Sequence, residues 1–219
     1  MQPYRSVFEY AEAEYTVERS RFIAHVSPAE SPEEARAFIA EIKTRYRDAT
    51  HNVPAFVCGP GSEHQWASDD GEPQGTSGMP VLRLLTGGEL TNVVIVITRY
   101  FGGIKLGTGG LARAYSHAAS LAVEKAGICE VRESTLLGYT FDYTYLSKLT
   151  AMAPNCGFEI GDIEYTNSVT VIVKCPEEKT EEIKAAINDL TSGKALLTSE
   201  NKALGRYRLS KNDLKKNFK

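Results

Sequence analysis

The apolar positions in the first half of the chain switch between strand-like and helix-like spacing. Residues 14–26 are predicted to form one strand, because apolar residues recur there among polar ones. A helix is predicted to follow, since Ser31 can cap it and Glu34 completes a Ser-x-x-Glu capping box. Residues 51–59 and 92–101 predict further strands, and NVVIVITRYF in the second is apolar enough to be buried on both faces.

A glycine-rich stretch, RYFGGIKLGTGGLARAY, connects the strongest strand to a second long helix. Apolar residues recur at helical spacing from Leu111 to Ala122, which predicts a helix with one buried face. Thr108 is predicted as its N-cap, and Gly127 supplies the expected stop.

From about residue 135 the predicted elements follow the order strand, helix, strand, strand, helix, strand. This order is that of a ferredoxin-like, split βαβ domain. We expect residues 136–205 to form one four-stranded antiparallel sheet, with helices near 146–156 and 177–191 on one face. The predicted fold class is therefore α+β with two domains, 1–134 and 135–219.

Composition places the chain among ordinary soluble proteins. Of its 219 residues, 42% are hydrophobic and 24% charged, and the longest apolar run, VVIVI, is too short to span a membrane. The beginning of the chain shows no secretory leader, and the four cysteines are widely spaced. We therefore expect a cytoplasmic protein with free thiols, without a structural zinc site and without membrane association.

The net charge of −3 is unevenly distributed. Residues 1–134 carry 13 Lys and Arg against 17 Asp and Glu, a balance of −4 that disfavours nonspecific nucleic-acid binding by this part. Residues 202–219 carry seven basic side chains and one acidic one. They contain few apolar residues, so we predict a basic tail that does not pack and has a mobile end.

The glycine-rich stretch has two open interpretations. It is not a Walker A loop, because Thr108 stands at the lysine position, and its match to a dinucleotide fingerprint lies too far beyond the preceding strand. It can present the free amides of a helix N-terminus to an anion, or its glycines can merely allow close packing. The predicted residues for binding an anion, phosphate or RNA are Arg99, Lys105, Gly107, Thr108, Gly109, Gly110 and Arg113.

An acidic loop, SDDGEPQGTSGMP, is the other unusual segment of the first domain. Its carboxylates lack the spacing of a calcium loop, and nothing local supports a triad of Ser77, His51 and Asp69. We expect this loop and the glycine-rich stretch to line one cleft, with Arg99 or Arg113 paired to a carboxylate of the loop. The residues predicted for this motif cleft are His51, Asp69, Asp70, Gly71, Glu72 and Thr76.

These two motifs, with the SRFIA and ATHN segments, closely resemble those of the IMPACT/YigZ family. The resemblance implies a first domain like the second domain of the fifth small-subunit ribosomal protein. It implies a second domain like the last, ferredoxin-like domain of elongation factor G. It also implies a link to translation, since eukaryotic relatives bind a ribosome-associated activator of a starvation kinase. No established reaction is implied for bacterial members.

The favoured function is a non-catalytic, cytoplasmic binding protein associated with RNA, the ribosome or translation factors, and regulating translation. Two alternatives stay open, an enzyme acting on a small phosphorylated or nucleotide substrate and a pure protein-interaction module. No cofactor and no metal is expected. The sequence leaves open whether any reaction is catalysed, and also the oligomeric state.

Overall fold

The computed structural model describes residues 2–210, which divide into two compact units. The first unit is Gln2–Glu130 together with the described residues after Arg206, and the second unit is Val131–Arg206. The strands are β1 (Tyr4–Val7), β2 (Ala11–Val17), β3 (Ser20–Pro28), β4 (His51–Cys58), β5 (His64–Ala67), β6 (Val93–Tyr100), β7 (Ile128–Phe141), β8 (Glu159–Tyr165), β9 (Val169–Pro176) and β10 (Leu196–Arg208). The α-helices are α1 (Pro32–Arg45), α2 (Gly78–Gly87), α3 (Gly107–Ala126), α4 (Leu146–Cys156) and α5 (Thr180–Thr191). The two-domain α+β class predicted from the sequence is confirmed.

The first unit is built on a sheet with the order β2-β3-β6-β4-β5, in which every neighbouring pair is antiparallel. Side chains alternate along β6: Ile95 and Ile97 pack into the core that includes α2 and α3, while Val94 and Val96 pack into the core that includes α1. The strand is therefore buried on both faces, as its composition predicts.

The single strand predicted over 14–26 is wrong: this segment is a tight hairpin of β2 and β3. The chain reverses at Glu18 and Arg19, which have φ values of 45° and 62°. A two-residue turn of this kind needs positive φ at both positions and normally signals itself with Asn or Gly. Because Glu and Arg stand there, the pattern alone gave no indication of a reversal.

Helix α1 begins as predicted. The Oγ of Ser31 accepts a hydrogen bond from the backbone N of Glu34 at 3.2 Å. The Glu34 carboxylate reaches back to the backbone N of Glu30 at 2.8 Å, so two amides at the beginning of the helix are satisfied.

The predicted N-cap of α3 is wrong. The helix begins at Gly107 with Leu106 at the cap position, and no side chain caps it. Thr108 therefore lies within the first turn. The predicted stop at Gly127 is confirmed, with φ of 75°.

The second unit has the predicted order of elements. Its strands belong to a five-stranded sheet in which β1 and β10 both pair with β7, and β9 pairs antiparallel with β7 and β8. The sheet thus has one strand more than the four predicted. Leu149 of α4 and Ile183 of α5 pack into the same core as Leu137 and Val171 of the sheet. The arrangement is that of a split βαβ domain.

The predicted basic tail is wrong over residues 202–208. Residues 202–208 belong to β10, which pairs with β7. Backbone pairing in a sheet does not need apolar side chains on every residue, and their scarcity misled the prediction. The part of the predicted tail at 211–219 lies outside the described residues.

His25 of β3 is fully buried. Its Nδ1 lies 3.3 Å from both the Tyr10 hydroxyl and a carboxylate oxygen of Glu12, and its ring lies 4.9 Å from that of Tyr46. Within the described chain its Nε2 has no hydrogen-bond partner. Burial lowers the pKa of His25, an effect that the Glu12 charge opposes and the Arg45 charge reinforces.

His25 should therefore make stability depend on pH. Because the folded-state pKa lies below the unfolded value of about 6.5, the unfolded chain binds more protons below that pH. The stabilisation of the folded state by the neutral His25 ring is fully present above about pH 6.5, and it is lost as the pH falls through the folded-state pKa. We expect the urea midpoint of the wild type to fall more steeply below about pH 6.5 than that of His25→Gln. Converted to free energy of unfolding, the slopes of the two proteins against pH should differ by at most about 1.4 kcal/mol per pH unit. Parallel curves would contradict this assignment.

Among residues 2–210, the helices are all too short or too polar to cross a membrane.

Candidate functional site

Three neighbouring strands carry a row of side chains on the sheet face toward α2 and α3. Arg99 of β6 stands directly opposite Phe22 of β3 and His51 of β4 in the sheet register. Residues opposite each other on adjacent strands project from the same face. Phe22 also meets Tyr115 of α3 edge to face, with ring centroids 5.1 Å apart. This contact places the end of β6 and its neighbours close to α3.

Arg99 of this row forms a buried ion pair with Glu72 of the acidic loop. The Nη1 of Arg99 donates to Oε1 of Glu72 at 2.6 Å, and the two side chains are only 5% and 3% exposed. The Tyr115 hydroxyl donates to the same oxygen at 2.7 Å, and Nη2 of Arg99 donates to the Ser20 Oγ at 3.3 Å. The Arg99 guanidinium carbon also lies 5.4 Å from the centroid of Phe22. The predicted pairing of the two motifs is confirmed for Arg99 and Glu72.

Tyr115 is a permanent donor to this pair. Burial strongly raises the pKa of its hydroxyl, and the charge of Glu72 raises it further. The phenol therefore stays protonated at any physiological pH and can stabilise the Glu72 carboxylate. The sequence pattern indicated Tyr115 only as an apolar face residue of α3, since nothing local shows which carboxylate its hydroxyl reaches.

Asp69 holds the beginning of α2. Its Oδ1 accepts from the backbone N of Gly78 at 2.9 Å, the backbone N of Ser77 at 3.1 Å and the Ser77 hydroxyl at 2.7 Å. Its Oδ2 accepts from the backbone N of Gly75 at 2.7 Å. Burial would raise the pKa of Asp69, but these hydrogen bonds together lower it. Ser77 and Asp69 thus meet in a helix cap, not in a nucleophilic triad.

Asp70 ties the acidic loop to β4 and α1. One carboxylate oxygen accepts from the Lys43 ammonium and the other from the backbone N of Asn52 at 2.6 Å. The Nδ1 of His51 donates to the backbone carbonyl of Asp70 at 2.8 Å, which leaves Nε2 to face Glu72 across 3.8 Å. Lys43 and Asn52 were not among the residues predicted for the site, because they approach the loop only through the folding of β4 and α1.

The two remaining residues of the predicted motif cleft shape the loop. Gly71 has φ of 88°, a conformation that favours glycine, and a Cβ placed there would lie 3.6 Å from the His51 ring. The Thr76 hydroxyl donates to the carbonyl of Pro73 at 2.6 Å. The first contact joins the acidic loop to His51 of β4, and the second lies within the loop.

The acidic loop and the glycine-rich stretch line one cleft, as expected. This motif cleft has a volume of about 410 Å³. Its lining residues are Thr50, His51, Glu72, Pro73, Arg99, Phe101, Lys105, Leu106, Gly107, Thr108 and Leu111. Asp69, Asp70, Gly71 and Thr76 lie behind it in the acidic loop and are not part of its lining.

Arg113 and Gly110 lie outside the motif cleft, on a second concave surface with a volume of about 750 Å³. We call it the α3 groove, and its lining residues are Tyr15, Val17, Glu18, Ile104, Lys105, Leu106, Gly110, Arg113, Ala114 and His117. Lys105 and Leu106 line both surfaces. Arg113 therefore does not meet the acidic loop, because it projects from the side of α3 that is turned toward β2.

The glycines divide between the two interpretations of their stretch. A Cβ on Gly102 would lie 2.0 Å from the backbone carbon of Arg19, so this glycine allows close packing against the turn between β2 and β3. Gly107 has φ of 69° with open space around it. A Cβ placed on Gly109 would meet only the Arg113 guanidinium, at 3.6 Å, which is an ordinary contact. The first turn of α3 is therefore accessible, whereas Gly102 belongs to the scaffold.

The residues from 2 to 210 contain no cluster of three or more His, Cys, Asp or Glu side chains arranged to hold a metal ion. The carboxylates of the acidic loop are instead distributed among separate partners: α2 for Asp69, Lys43 for Asp70 and Arg99 for Glu72.

Comparison with known families matches both units. The Impact N-terminal domain matches residues 18–123, and a domain of unknown function, DUF1949, matches residues 140–194. The IMPACT family member YvyE of Bacillus subtilis is 38% identical over 195 residues, which cover 89% of this chain and 90% of that protein. The IMPACT family member YigZ of Escherichia coli is 34% identical, covering 81% and 88%.

A solved structure shows the same fold. The crystal structure of a hypothetical protein is similar over 96% of this chain and 99% of its own, with 28% sequence identity and a TM-score of 0.58. The likeness thus extends through both units of the chain.

Proposed function

Because the chain belongs to the IMPACT family, we propose that it is a non-catalytic binding protein that regulates translation through RNA, the ribosome or a translation factor. The translation role follows from the family resemblance described for its motifs. A cytoplasmic location is part of the same proposal. The binding role rests on how the charged groups of the first unit are distributed.

The observation that carries the binding role is a contrast between two sets of charges. Arg99 is enclosed with Glu72, and both carboxylate oxygens of Asp69 and of Asp70 already accept hydrogen bonds. Lys105 and Arg113 are exposed, and within residues 2–210 neither forms an ion pair or hydrogen bond. The carboxylates of the acidic loop are thus neutralised or hydrogen-bonded by their own partners, while Lys105 and Arg113 stay available.

This contrast favours binding over acid–base chemistry. A general base or acid needs a lone pair or proton within reach of the substrate. Asp69 and Asp70 lie outside the lining of the motif cleft, and Glu72 accepts two strong donors through Oε1. The acidic loop therefore acts as scaffold for the glycine-rich stretch. The exposed cations and the open first turn of α3 supply an anion-binding surface.

We expect the full chain to sediment with purified ribosomes at low salt and to be released as the salt concentration rises. The double variant Lys105→Ala/Arg113→Ala should show a clearly smaller bound fraction, because two phosphate or carboxylate partners lose their counter-charge. The dependence of log affinity on log salt should become shallower by about one to two units if the partners are phosphates.

The matched control is Arg83→Ala, which removes an exposed cation of α2 that lines neither the motif cleft nor the α3 groove. Its bound fraction should equal that of the wild type. Absence of co-sedimentation at every salt concentration would rule out the ribosome as the partner, and a failure to bind purified RNA and translation factors as well would refute the proposed function. Equal binding by the double variant would refute the assigned surface.

A further inference from the structure

The α3 groove follows one face of the first three turns of α3. Gly110, Arg113, Ala114 and His117 are spaced three and four residues apart, so they line the same side of the helix. This face is about 10 Å long, at 1.5 Å per residue. The opposite wall comes from the end of β2 and its turn, and the 104–106 segment closes one end.

The charged side chains along the groove are mostly cationic. Lys105 and Arg113 are cations, and Glu18 is the one acidic side chain in the lining. Within residues 2–210, Lys105, Arg113 and Glu18 make no ion pair. The groove is thus complementary to an anionic occupant.

The apolar part of the lining is mainly aliphatic. Val17, Leu106 and Ala114 line the groove, and Ile104 is 38% exposed beside Lys105. A side chain of this size normally buries much of its surface, so its exposure beside a cation suits an anchor for an apolar group of a partner.

We propose that the α3 groove binds a short acidic segment of a protein partner, in which aliphatic side chains alternate with Asp or Glu. The aliphatic side chains of the segment contact Ile104 and Val17, and its carboxylates pair with Lys105 and Arg113. This inference rests on the proposed function and deepens it, since it specifies the chemical class of the partner and the surface that receives it.

Two observations favour an acidic peptide over single-stranded RNA. Proteins that bind single strands stack bases on open aromatic faces. The aromatic ring of the groove, Tyr15, already packs against His117 at 4.6 Å and is half-buried. In addition, residues 1–134 carry a net charge of −4, which opposes a long polyanion, whereas a short segment responds to charges within about 8 Å.

The test begins with a random-peptide display selection on the immobilised full chain, with counter-selection on Arg113→Glu. We expect enrichment of peptides that combine two or more Asp or Glu residues with aliphatic ones. The most enriched peptide is then synthesised with a fluorophore, beside a version in which every Asp and Glu is replaced by the amide. An oligouridylate of matched length is the RNA probe. Binding is measured by fluorescence anisotropy.

The acidic peptide should bind Arg113→Glu at least about tenfold more weakly than the wild type, because an attraction becomes a repulsion. Ile104→Ser should weaken it roughly fivefold through lost apolar contact. The amide version should bind more weakly than the acidic one, and Arg83→Ala should bind like the wild type. The melting temperatures of Arg113→Glu and Ile104→Ser should stay near that of the wild type, since both side chains are exposed.

Enrichment without acidic residues, or no enrichment at all, would overturn the inference. It would also be overturned if the oligouridylate bound more tightly than the peptide and depended on Arg113, which would identify an RNA site. The enriched peptide should displace the protein from ribosomes. If co-sedimentation persists at saturating peptide, the groove assignment fails while the proposed function stands. If the wild type binds neither ribosomes nor purified RNA nor translation factors, the proposed function fails whatever the peptide does.

Discussion

Arg99→Ala is expected to lower the free energy of unfolding of the first unit by about 3–5 kcal/mol, the largest loss for any single side chain of the site. The substitution leaves the Glu72 carboxylate, only 3% exposed, without its counter-charge. Removing one member of a buried pair costs more than the pair contributes, because the remaining charge cannot regain water. For a domain of this size the melting temperature should fall by roughly 10–20 °C.

The matched control is Arg21→Ala. Arg21 also forms a 2.7 Å ion pair, with Glu14, but these two side chains are 52% and 48% exposed. Its removal should cost less than about 1 kcal/mol. The double variant Arg99→Met/Glu72→Leu should regain part of the stability lost in Arg99→Ala, since it leaves no unpaired charge. Equal losses for Arg99→Ala and Arg21→Ala in urea unfolding would show that the buried pair is not structural.

Gly102→Ala is expected to destabilise the first unit by about 1–3 kcal/mol or more. Its Cβ would lie 2.0 Å from the carbonyl carbon of Arg19 and 2.4 Å from the backbone N of Ser20. These are backbone atoms of the turn between β2 and β3, so relief requires the whole turn to move. The same movement would disturb the 3.2 Å hydrogen bond from the backbone N of Gly102 to the Ser20 hydroxyl.

Gly109→Ala makes the matched comparison within the same glycine-rich stretch. Gly109 lies in the first turn of α3, and a Cβ there would have only the Arg113 guanidinium nearby, at 3.6 Å. Alanine should therefore raise stability by about 0.5–1 kcal/mol through its higher helix propensity. Thermal unfolding of both variants measures the contrast. Two losses of similar size would mean that the stretch packs uniformly.

The sequence was sufficient for the strongly patterned elements. Ser31 with Glu34 marked the beginning of α1, and the apolar run of β6 indicated a strand covered on both faces. The βαββαβ order of the second unit followed from periodicity and turn residues. Each of these signals is contained within a few neighbouring residues, which is why pattern analysis could find them.

The elements that were missed depend on context beyond their neighbours. Glu18 and Arg19 adopt positive φ although neither is Asn or Gly, so the local pattern predicts one strand where the chain forms the hairpin of β2 and β3. Short strand β5 lies at the edge of its sheet and is mostly exposed, so it lacks a clear apolar pattern.

The sequence predicts that the acidic loop and the glycine-rich stretch share a cleft, but it does not predict which arginine pairs with the loop. Proximity of the acidic loop and the glycine-rich stretch could be argued from the end of β6, but the choice between Arg99 and Arg113 could not. Sheet register places Arg99 opposite His51, whereas the helical phase of α3 turns Arg113 toward β2. The local sequence determines neither the register between strands that are distant in the chain nor the direction in which a helix face points relative to a distant strand.

The most direct test measures two quantities, the melting temperature and the fraction bound to ribosomes, on Arg113→Ala and Arg99→Ala side by side. Arg113→Ala should keep the wild-type melting temperature and lose bound fraction, because its side chain is exposed and unpaired among residues 2–210. Arg99→Ala should lose roughly 10–20 °C in melting temperature and, at a temperature well below its own melting point, keep its bound fraction. The opposite pattern, an unstable Arg113→Ala that binds normally and a stable Arg99→Ala that does not bind, would contradict the division between scaffold and binding surface.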